Sequence, residues 1–318
     1  MKSILYLVVP CYNEEEVIHE TSHQLRLKMN SLIEKGAISE KSKVMFVNDG
    51  SKDRTWELIE ELHENDPLFS GINLANNSGH QNALLSGLMI AKDHADMVVS
   101  LDADLQDDVN VIDQFVDKYH EGYDIVYGVR SSRESDSWFK RNTAQAFYKF
   151  QSLMGINSVY NHADYRLMSK RALEGLAQFK EVNLFLRGMI PLIGFESTTV
   201  EYTRNERFAG VSKYPLRKML AFAWNGITSF SIKPIRFLTG IGFCIFFVSL
   251  LIISYSLVRK ALGYTVTGWT FLSCSMWLLG GVQLLGLGIV GEYMGKVYNE
   301  VKARPRYIIE EVLNEEDH

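Results

Sequence analysis

Cysteine is scarce in this chain of 318 residues. Cys11, Cys244 and Cys274 stand far apart, with no CxxC pair and no Cys/His cluster, which argues against a disulfide framework and against a zinc site. A basic surplus is missing too. Thirty-three Lys and Arg are set against 38 Asp and Glu, for a net charge of −5, so a nucleic-acid partner gripped by a broad basic face is not expected. The N-terminal apolar run from Ile4 to Pro10 is too short for a signal-peptide core and has no small-residue cleavage site; the expectation is a buried strand in a cytosolic domain. Charge itself is absent from two stretches, 237–258 over 22 positions and 261–291 over 31, where about 20 apolar residues suffice to cross a hydrocarbon core.

What the rest of the chain offers is alternation. Apolar, β-branched or aromatic runs at 5–9, 43–47, 71–74, 97–101 and 124–127 are separated by stretches long enough for helices, such as 14–33 and 54–64. This predicts the α/β class with a doubly wound, mainly parallel sheet. A domain of roughly 200 residues leaves about 100 for the uncharged runs and their flanks. The expected layout is a cytosolic domain over 1–215, a juxtamembrane amphipathic segment over 216–235, a first transmembrane helix over 236–258, a short outer loop over 259–268, a second over 269–291 and a cytosolic tail over 292–318. Lys213, Arg217, Lys218, Lys233 and Arg236 precede the first span and Lys296, Lys302, Arg304 and Arg306 follow the second, with only Arg259 and Lys260 between; this bias places both termini in the cytosol, at an inner or plasma membrane. A buried soluble hairpin is the alternative. Glu310, Glu311, Glu315, Glu316 and Asp317 read as a solvated acidic end.

In an open sheet of this kind, ligands bind beyond the carboxyl ends of the strands. Three acidic segments fall at such ends: Pro10-Cys11-Tyr12-Asn13-Glu14, Val47-Asn48-Asp49-Gly50-Ser51 and Asp102-Ala103-Asp104-Leu105-Gln106. If 97–101 continues as a strand, alternation aims Asp102 and Asp104 to one side. Two carboxylates so close repel unless a cation joins them, and Mg²⁺ or Mn²⁺ suits such oxygen ligands beside phosphate. Gln106 adds an amide oxygen. An ordinary Asp-rich turn fits the same triplet. Asp49 either caps the next helix, as Ser51 and Asp53 also can, or accepts hydrogen bonds from a base or ribose. Glu14 either favours the positive end of the following helix or serves a ligand, and Tyr12 offers a flat face to a base. Asn77-Ser78-Gly79-His80-Gln81 opens another helix, where N–H groups meet phosphate or simply form a capped turn. Arg130 and Arg133 precede Trp138-Phe139-Lys140-Arg141 and suit an anionic head group at a membrane surface as well as a solvated basic loop. Phe139, Thr143, Phe147, Phe150 and Met154 recur at helical spacing, either to lie on a bilayer or to pack on the domain.

Five motifs taken in order carry a resemblance. Pro10-Cys11-Tyr12-Asn13-Glu14, Asn48-Asp49-Gly50-Ser51, Asp102-Ala103-Asp104-Leu105-Gln106, Ala163-Asp164-Tyr165-Arg166-Leu167 and Arg204-Asn205-Glu206-Arg207-Phe208-Ala209-Gly210-Val211-Ser212-Lys213-Tyr214 resemble the family 2 glycosyltransferases of the GT-A fold. Within that family the chain is similar to the polyprenyl-phosphate branch, which includes dolichol-phosphate mannose synthase and bactoprenol glucosyl and N-acetylglucosaminyl transferases. The resemblance implies that Pro10, Tyr12, Glu14 and Asp49 contact the nucleotide. Asp102 would lie near ribose and metal, with Asp104 and Gln106 as metal ligands. Asp164 would stand near the reacting sugar, and Arg204, Arg207, Ser212 and Lys213 would belong to a loop that closes on phosphates. A small homo-oligomer is implied as well. Two departures bear on sugar choice: Ala75-Asn76-Asn77 stands where relatives often have Ser-Arg-Asn, and Asp107-Asp108 where His-Pro or Asp-Pro is common.

The expected reaction is an inverting, metal-dependent transfer of one sugar, glucose or N-acetylglucosamine, from a nucleotide diphosphate sugar to polyprenyl (undecaprenyl) phosphate on the cytosolic leaflet, with a UDP-sugar favoured. Asp104, Asp164, Arg207 and Lys213 would carry the chemistry, and Arg130, Arg133, Arg204 and Ser212 would receive the acceptor phosphate. Two rivals are a non-catalytic membrane sensor of nucleotide sugar and a processive polysaccharide synthase. The intact Asp102, Asp104 and Gln106 count against the first. The absence of a Gln-x-x-Arg-Trp motif and the presence of only two spans count against the second.

Overall fold

The computed structural model describes residues 2–130, 162–182, 184–203, 233–263 and 268–313. They fall into two compact units, a sheet domain that includes the residues after Ala303 and a pair of long helices. The sheet domain is built on β1 (Leu5–Cys11), β2 (Lys43–Asn48), β3 (Phe69–Leu74) and β4 (Met97–Ser100). Nearly every position of these four is buried, which is what a continuous apolar run without alternation becomes when helices cover both faces. β5 (Ile125–Arg130), β6 (His162–Ser169), β7 (Ser197–Tyr202) and β8 (Ile309–Leu313) complete one sheet in the order β7-β5-β6-β4-β1-β2-β3-β8.

The sheet is mixed where a mainly parallel one was expected. β1 pairs in parallel with β2 and β4, β2 with β3, and β5 with β7, but β6 runs antiparallel to both β4 and β5, and β8 antiparallel to β3. The segment read as an acidic tail thus contains an edge strand. The reason is local: Val312 and Leu313 are half-buried, and Leu313 packs against the core, while Glu310 and Glu311 stay exposed. Residues 314–318, with Glu315, Glu316 and Asp317, lie outside the described residues.

Helices α1 (Ile18–Glu34), α2 (Thr55–Asn65), α3 (His80–His94), α4 (Val111–His120), α5 (Lys170–Leu176) and the short α6 (Leu186–Met189) accompany the sheet. On α1 the buried stripe Ile18, Leu25, Met29 and Leu32 has the spacing of one helical face. The helix starts at Ile18 and not near Glu14, because the N–H groups of Val17 and Ile18 both donate to the Glu14 carbonyl in a preceding turn. Phe46 and Phe69, both fully buried, stack with centroids 6.0 Å apart between neighbouring strands; Phe46→Ala would cost about 3–5 kcal/mol. Gly87 lets α3 sit close on the sheet, since a Cβ there would lie 2.4 Å from Val8 Cγ1 and 2.7 Å from Val47 Cγ2.

The second unit consists of α7 (Lys233–Ala261) and α8 (Trp269–Lys302). Among the described residues no helix is long and apolar enough to cross a membrane. Their described side chains are nevertheless largely apolar and exposed, among them Phe237, Phe243, Leu251, Leu284 and Leu287. Gly286 of α8 approaches Leu238 of α7, with a Cβ placed 3.1 Å from Leu238 Cδ2. Thr239 and Ser275 donate their hydroxyls to the carbonyls of Ile235 and Leu272 within their own helices. α8 runs on to Lys302, well past the expected end of the second span at 291.

Candidate active site

β1, β2 and β3 end side by side, and the loops after them are tied together by side chains that engage backbone N–H groups. Asn13 sits at φ 53, a left-handed conformation that Asn tolerates better than most residues. Its N–H donates to Ser51 Oγ at 2.9 Å, and its Oδ1 accepts from the Lys52 N–H at 2.9 Å. The Glu14 N–H donates to Thr55 Oγ1 at 2.9 Å and the Glu15 N–H to Asp53 Oδ2 at 3.2 Å. Asp49, only 2% exposed, accepts from the N–H groups of Ser78 at 2.7 Å and Gly79 at 3.0 Å. It therefore fastens the loop that leads into α3, and does not cap α2. Burial raises its pKa, with the two N–H bonds pulling the other way. Gly50, at φ 62, permits the tight approach of that loop: a Cβ would lie 2.6 Å from the backbone of Asn76 and Asn77. Tyr12 stands 44% exposed at the rim and Glu14 is half-buried beside it.

The other half of the sheet carries charge. β4 stops at Ser100, so Asp102 and Asp104 lie in a turn and not on a strand, and the alternation argument for a shared side does not apply. The turn is strained at Leu105, φ 53, and is braced by the Gln106 N–H donating to Asp104 Oδ1 at 3.2 Å and by Thr21 Oγ1 donating to the Ala103 carbonyl at 2.7 Å. Antiparallel β6 pairs Arg166 with Ser100, the last residue of β4, and so brings Asp164 to the same end of the sheet as Asp102. His80, at the first turn of α3, spans the two, with Nε2 3.6 Å from Asp102 Oδ1 and 3.9 Å from Asp164 Oδ2.

Asp164 is gripped from both sides. Arg166, 2% exposed, is ion-paired with Asp164 Oδ1, and Arg187 donates Nη2 to Asp164 Oδ2 at 2.9 Å and Nε to Oδ1 at 3.2 Å. Burial works to raise the Asp164 carboxyl, but these two guanidiniums hold it well below the usual carboxylate range. Asp102 goes the opposite way: burial first, and then the carboxylates of Asp107, Asp164 and Asp104, push it up to about 6 against the pull of His80. Asp107 is buried and accepts from the Tyr202 hydroxyl at 2.5 Å, while Arg130 donates Nε to that hydroxyl at 3.2 Å and brings Nη2 to 3.6 Å from Asp107.

Of the residues expected from sequence, the structure brings Pro10, Tyr12, Glu14 and Asp49 to one end of the sheet and Asp102, Asp104, Gln106 and Asp164 to the adjoining strand ends. Arg130 is engaged by Tyr202 and Asp107. Arg133, Arg204, Arg207, Ser212 and Lys213 lie outside the described residues. Four participants were not singled out for these roles: His80, Asp107, Arg187 and Tyr202. For His80 the only signal was its place in a helix-opening segment. Arg187 and Tyr202 find their partners far along the chain, which no spacing encodes.

Carboxylates of this density fit a divalent cation by donor chemistry. Among the described residues no three His, Cys, Asp or Glu side chains are grouped to hold a metal; a Mg²⁺-type site built from one or two carboxylates and substrate phosphates has no need of three.

The model of the family described as Glycosyl transferase family 2 matches residues 6–176. Over 314 residues the chain is 55% identical to "Uncharacterized glycosyltransferase YkoT" of Bacillus subtilis (strain 168), covering 98% of this chain and 93% of that protein. It is 39% identical over 310 residues to the "SfII prophage-derived bactoprenol glucosyl transferase" of Shigella flexneri, covering 95% and 96%. Likeness to solved structures is more distant: mannosyltransferase PcManGT from Pyrobaculum calidifontis aligns with 95% of this chain and 86% of its own at 15% identity and a TM-score of 0.45.

Proposed function

The chain belongs to glycosyl transferase family 2 and is a glycosyltransferase, and from that premise we propose that it moves a single glucose or N-acetylglucosamine, with inversion, from a UDP-sugar to undecaprenyl phosphate at the cytosolic face of a membrane. The observation that carries this reading is the cluster at the strand ends, where His80 Nε2 lies 3.6 Å from Asp102 Oδ1 and 3.9 Å from Oδ2 of Asp164, itself clamped by two arginines. Relatives named for bactoprenol glucosyl transfer, 39% identical along nearly the whole chain, support the lipid acceptor.

In the reaction the bond from the anomeric carbon to the donor diphosphate breaks, and an oxygen of the acceptor phosphate forms the new bond from the opposite face. A phosphate ester loses its second proton near about pH 6, so the acceptor arrives largely dianionic and needs no strong base. Asp164 suits that requirement, because a carboxylate held far below its ordinary pKa by Arg166 and Arg187 is a poor proton acceptor at neutral pH. Its task is to orient: it fixes Arg187 and faces the sugar beside His80. Tyr12 and Pro10 flank the base, and Asp49 keeps the Ser78–Gly79 backbone in place. Mg²⁺ or Mn²⁺ held by Asp102, Asp104 and Gln106 would neutralise the charge growing on the leaving diphosphate, a role that Arg207 and Lys213 supplement. Arg130, Arg133, Arg204 and Ser212 are assigned to the acceptor phosphate.

Membrane placement is part of the same proposal. Support comes from the sequence, where 237–258 and 261–291 carry no charge over 22 and 31 positions, against about 20 needed to cross the hydrocarbon core. Exposed apolar side chains on α7 and α8 support two spans, and the Thr239 and Ser275 hydroxyls are satisfied within their own helices. With two spans, both chain ends lie on the cytosolic side, and a homo-oligomer in the membrane is compatible with this arrangement.

The test is transfer of label from UDP-glucose, UDP-N-acetylglucosamine, UDP-galactose and GDP-mannose to undecaprenyl phosphate in detergent, with Mg²⁺ or Mn²⁺. One sugar entering the lipid fraction, lost with chelator and at least 100-fold reduced in Asp104→Ala, is the expected outcome. Folded, nucleotide-binding protein that transfers from none of the four would overturn the proposal.

A further inference from the structure

A single line of hydrogen bonds crosses the carboxyl ends of β3, β2 and β1 from the start of β8. Asn73 Nδ2 donates to Glu310 Oε2 at 3.1 Å, Asn48 Nδ2 donates to Asn73 Oδ1 at 2.7 Å, the Ser51 N–H donates to Asn48 Oδ1 at 3.2 Å, and the Asn13 N–H donates to Ser51 Oγ at 2.9 Å. Registers Cys11↔Asn48 and Asn48↔Asn73 set the three residues in one row across the sheet, the last rung before the β1 and β2 loops begin. An amide side chain donates from nitrogen and accepts at oxygen, so a row of two Asn passes one orientation across two strands. Asn48 is 2% exposed with both ends of its amide engaged; in a buried site neither can be lost without leaving a polar atom unpaired.

We propose that Asn48, Asn73 and Glu310 are positioning residues for the nucleotide side of the site, holding Ser51 and, through it, the left-handed Asn13 and its neighbours Tyr12 and Glu14. The inference rests on the reading that those loops receive the nucleotide. It assigns a function to β8: a strand that the sequence presents as acidic tail sets the shape of a loop three strands away, and its carboxylate works as a hydrogen-bond acceptor and not as a charge. The acid at 310 is therefore replaceable by an amide, whereas loss of its oxygen is not tolerated without effect.

The experiment uses full-length protein in detergent with Mg²⁺. UDP and GDP are titrated by calorimetry, and donor KM, acceptor KM and kcat are measured for Glu310→Ala, Asn73→Ala and Glu310→Gln. Losing one link of this kind raises nucleotide Kd and donor KM about three- to ten-fold. In Glu310→Ala and Asn73→Ala, kcat and acceptor KM stay within about two-fold, the signature of lost ground-state binding. Glu310→Gln, which keeps the acceptor oxygen, matches the wild type. Unchanged nucleotide affinity in Glu310→Ala, or a kcat that falls together with melting temperature while donor KM holds, would overturn the assignment. Wild-type protein that binds neither UDP nor GDP would instead remove the nucleotide reading beneath it, so the two failures are told apart by the unsubstituted protein alone.

Discussion

The two halves of the sheet are organised by different forces. From β1 to β3 and β8 the loops are held by side chains that hydrogen-bond backbone N–H groups, the neutral Asn13, Ser51 and Thr55 and the carboxylates of Asp49 and Asp53. From β4 to β7 the strand ends are held by ion pairs and buried acids: Asp164 with Arg166 and Arg187, Asp107 with Tyr202 and Arg130. The first arrangement fixes a backbone shape, which is what a recognition surface for a base and ribose requires. The second fixes charges, which suits the departure of a diphosphate in the proposed reaction. Substitutions should therefore divide by half: those on the β1–β3 side act on donor affinity, those on the β4–β7 side on turnover and on stability through unpaired charge.

The largest stability effect is expected on the charged side. Asp164→Ala leaves Arg166 buried without its carboxylate and should cost about 3–5 kcal/mol, read as a loss of melting temperature in the detergent-solubilised protein. Arg187→Ala removes the more exposed partner, 36% accessible, and should cost under about 1 kcal/mol; equal losses from the two would erase the distinction between buried and rim partners. On the β1–β3 side, Asp49→Ala strands the N–H groups of Ser78 and Gly79 and should cost about 1–3 kcal/mol together with a raised donor KM; a fall in kcat with donor KM intact would place Asp49 with the reacting groups instead. A further effect is electrostatic. Because Asp102 titrates near 6 in the folded chain against an ordinary 3.8, its ionisation disfavours the fold, a penalty absent below pH 3.8 and complete above pH 6. Without divalent metal, Asp102→Asn should thus be the more stable protein at pH 7, with the gap closing as pH falls from 6 towards 4. A gap independent of pH would mean that the Asp102 carboxyl is not raised.

The sequence made the strands from β1 to β5 legible and those from β6 to β8 much less so. β1 to β4 announce themselves as apolar runs because both faces are covered, and the loops that follow begin where those runs end. β6 is hidden: His-Ala-Asp-Tyr-Arg-Leu-Met-Ser is too polar to read as a central strand, and its Arg166 is buried only because Asp164 accompanies it. β8 is hidden for a similar reason, its two glutamates outweighing Val312 and Leu313, which pack only once β3 is present. The motif at Asp102 was found, but its geometry was not, because β4 ends two residues before Asp102 and the chain turns through a strained Leu105. His80, Arg187 and Tyr202 reach Asp102, Asp164 and Asp107 across 22, 23 and 95 positions, and local pattern carries no trace of such pairings.

The most direct measurement is the release of nucleoside diphosphate from the proposed UDP-sugar donor, followed in one vessel before and after adding undecaprenyl phosphate with Mg²⁺ or Mn²⁺. The account predicts slow release before the addition and, after it, release matching glycolipid formed mole for mole. Tight binding of the nucleotide sugar with no release on adding the lipid would contradict it.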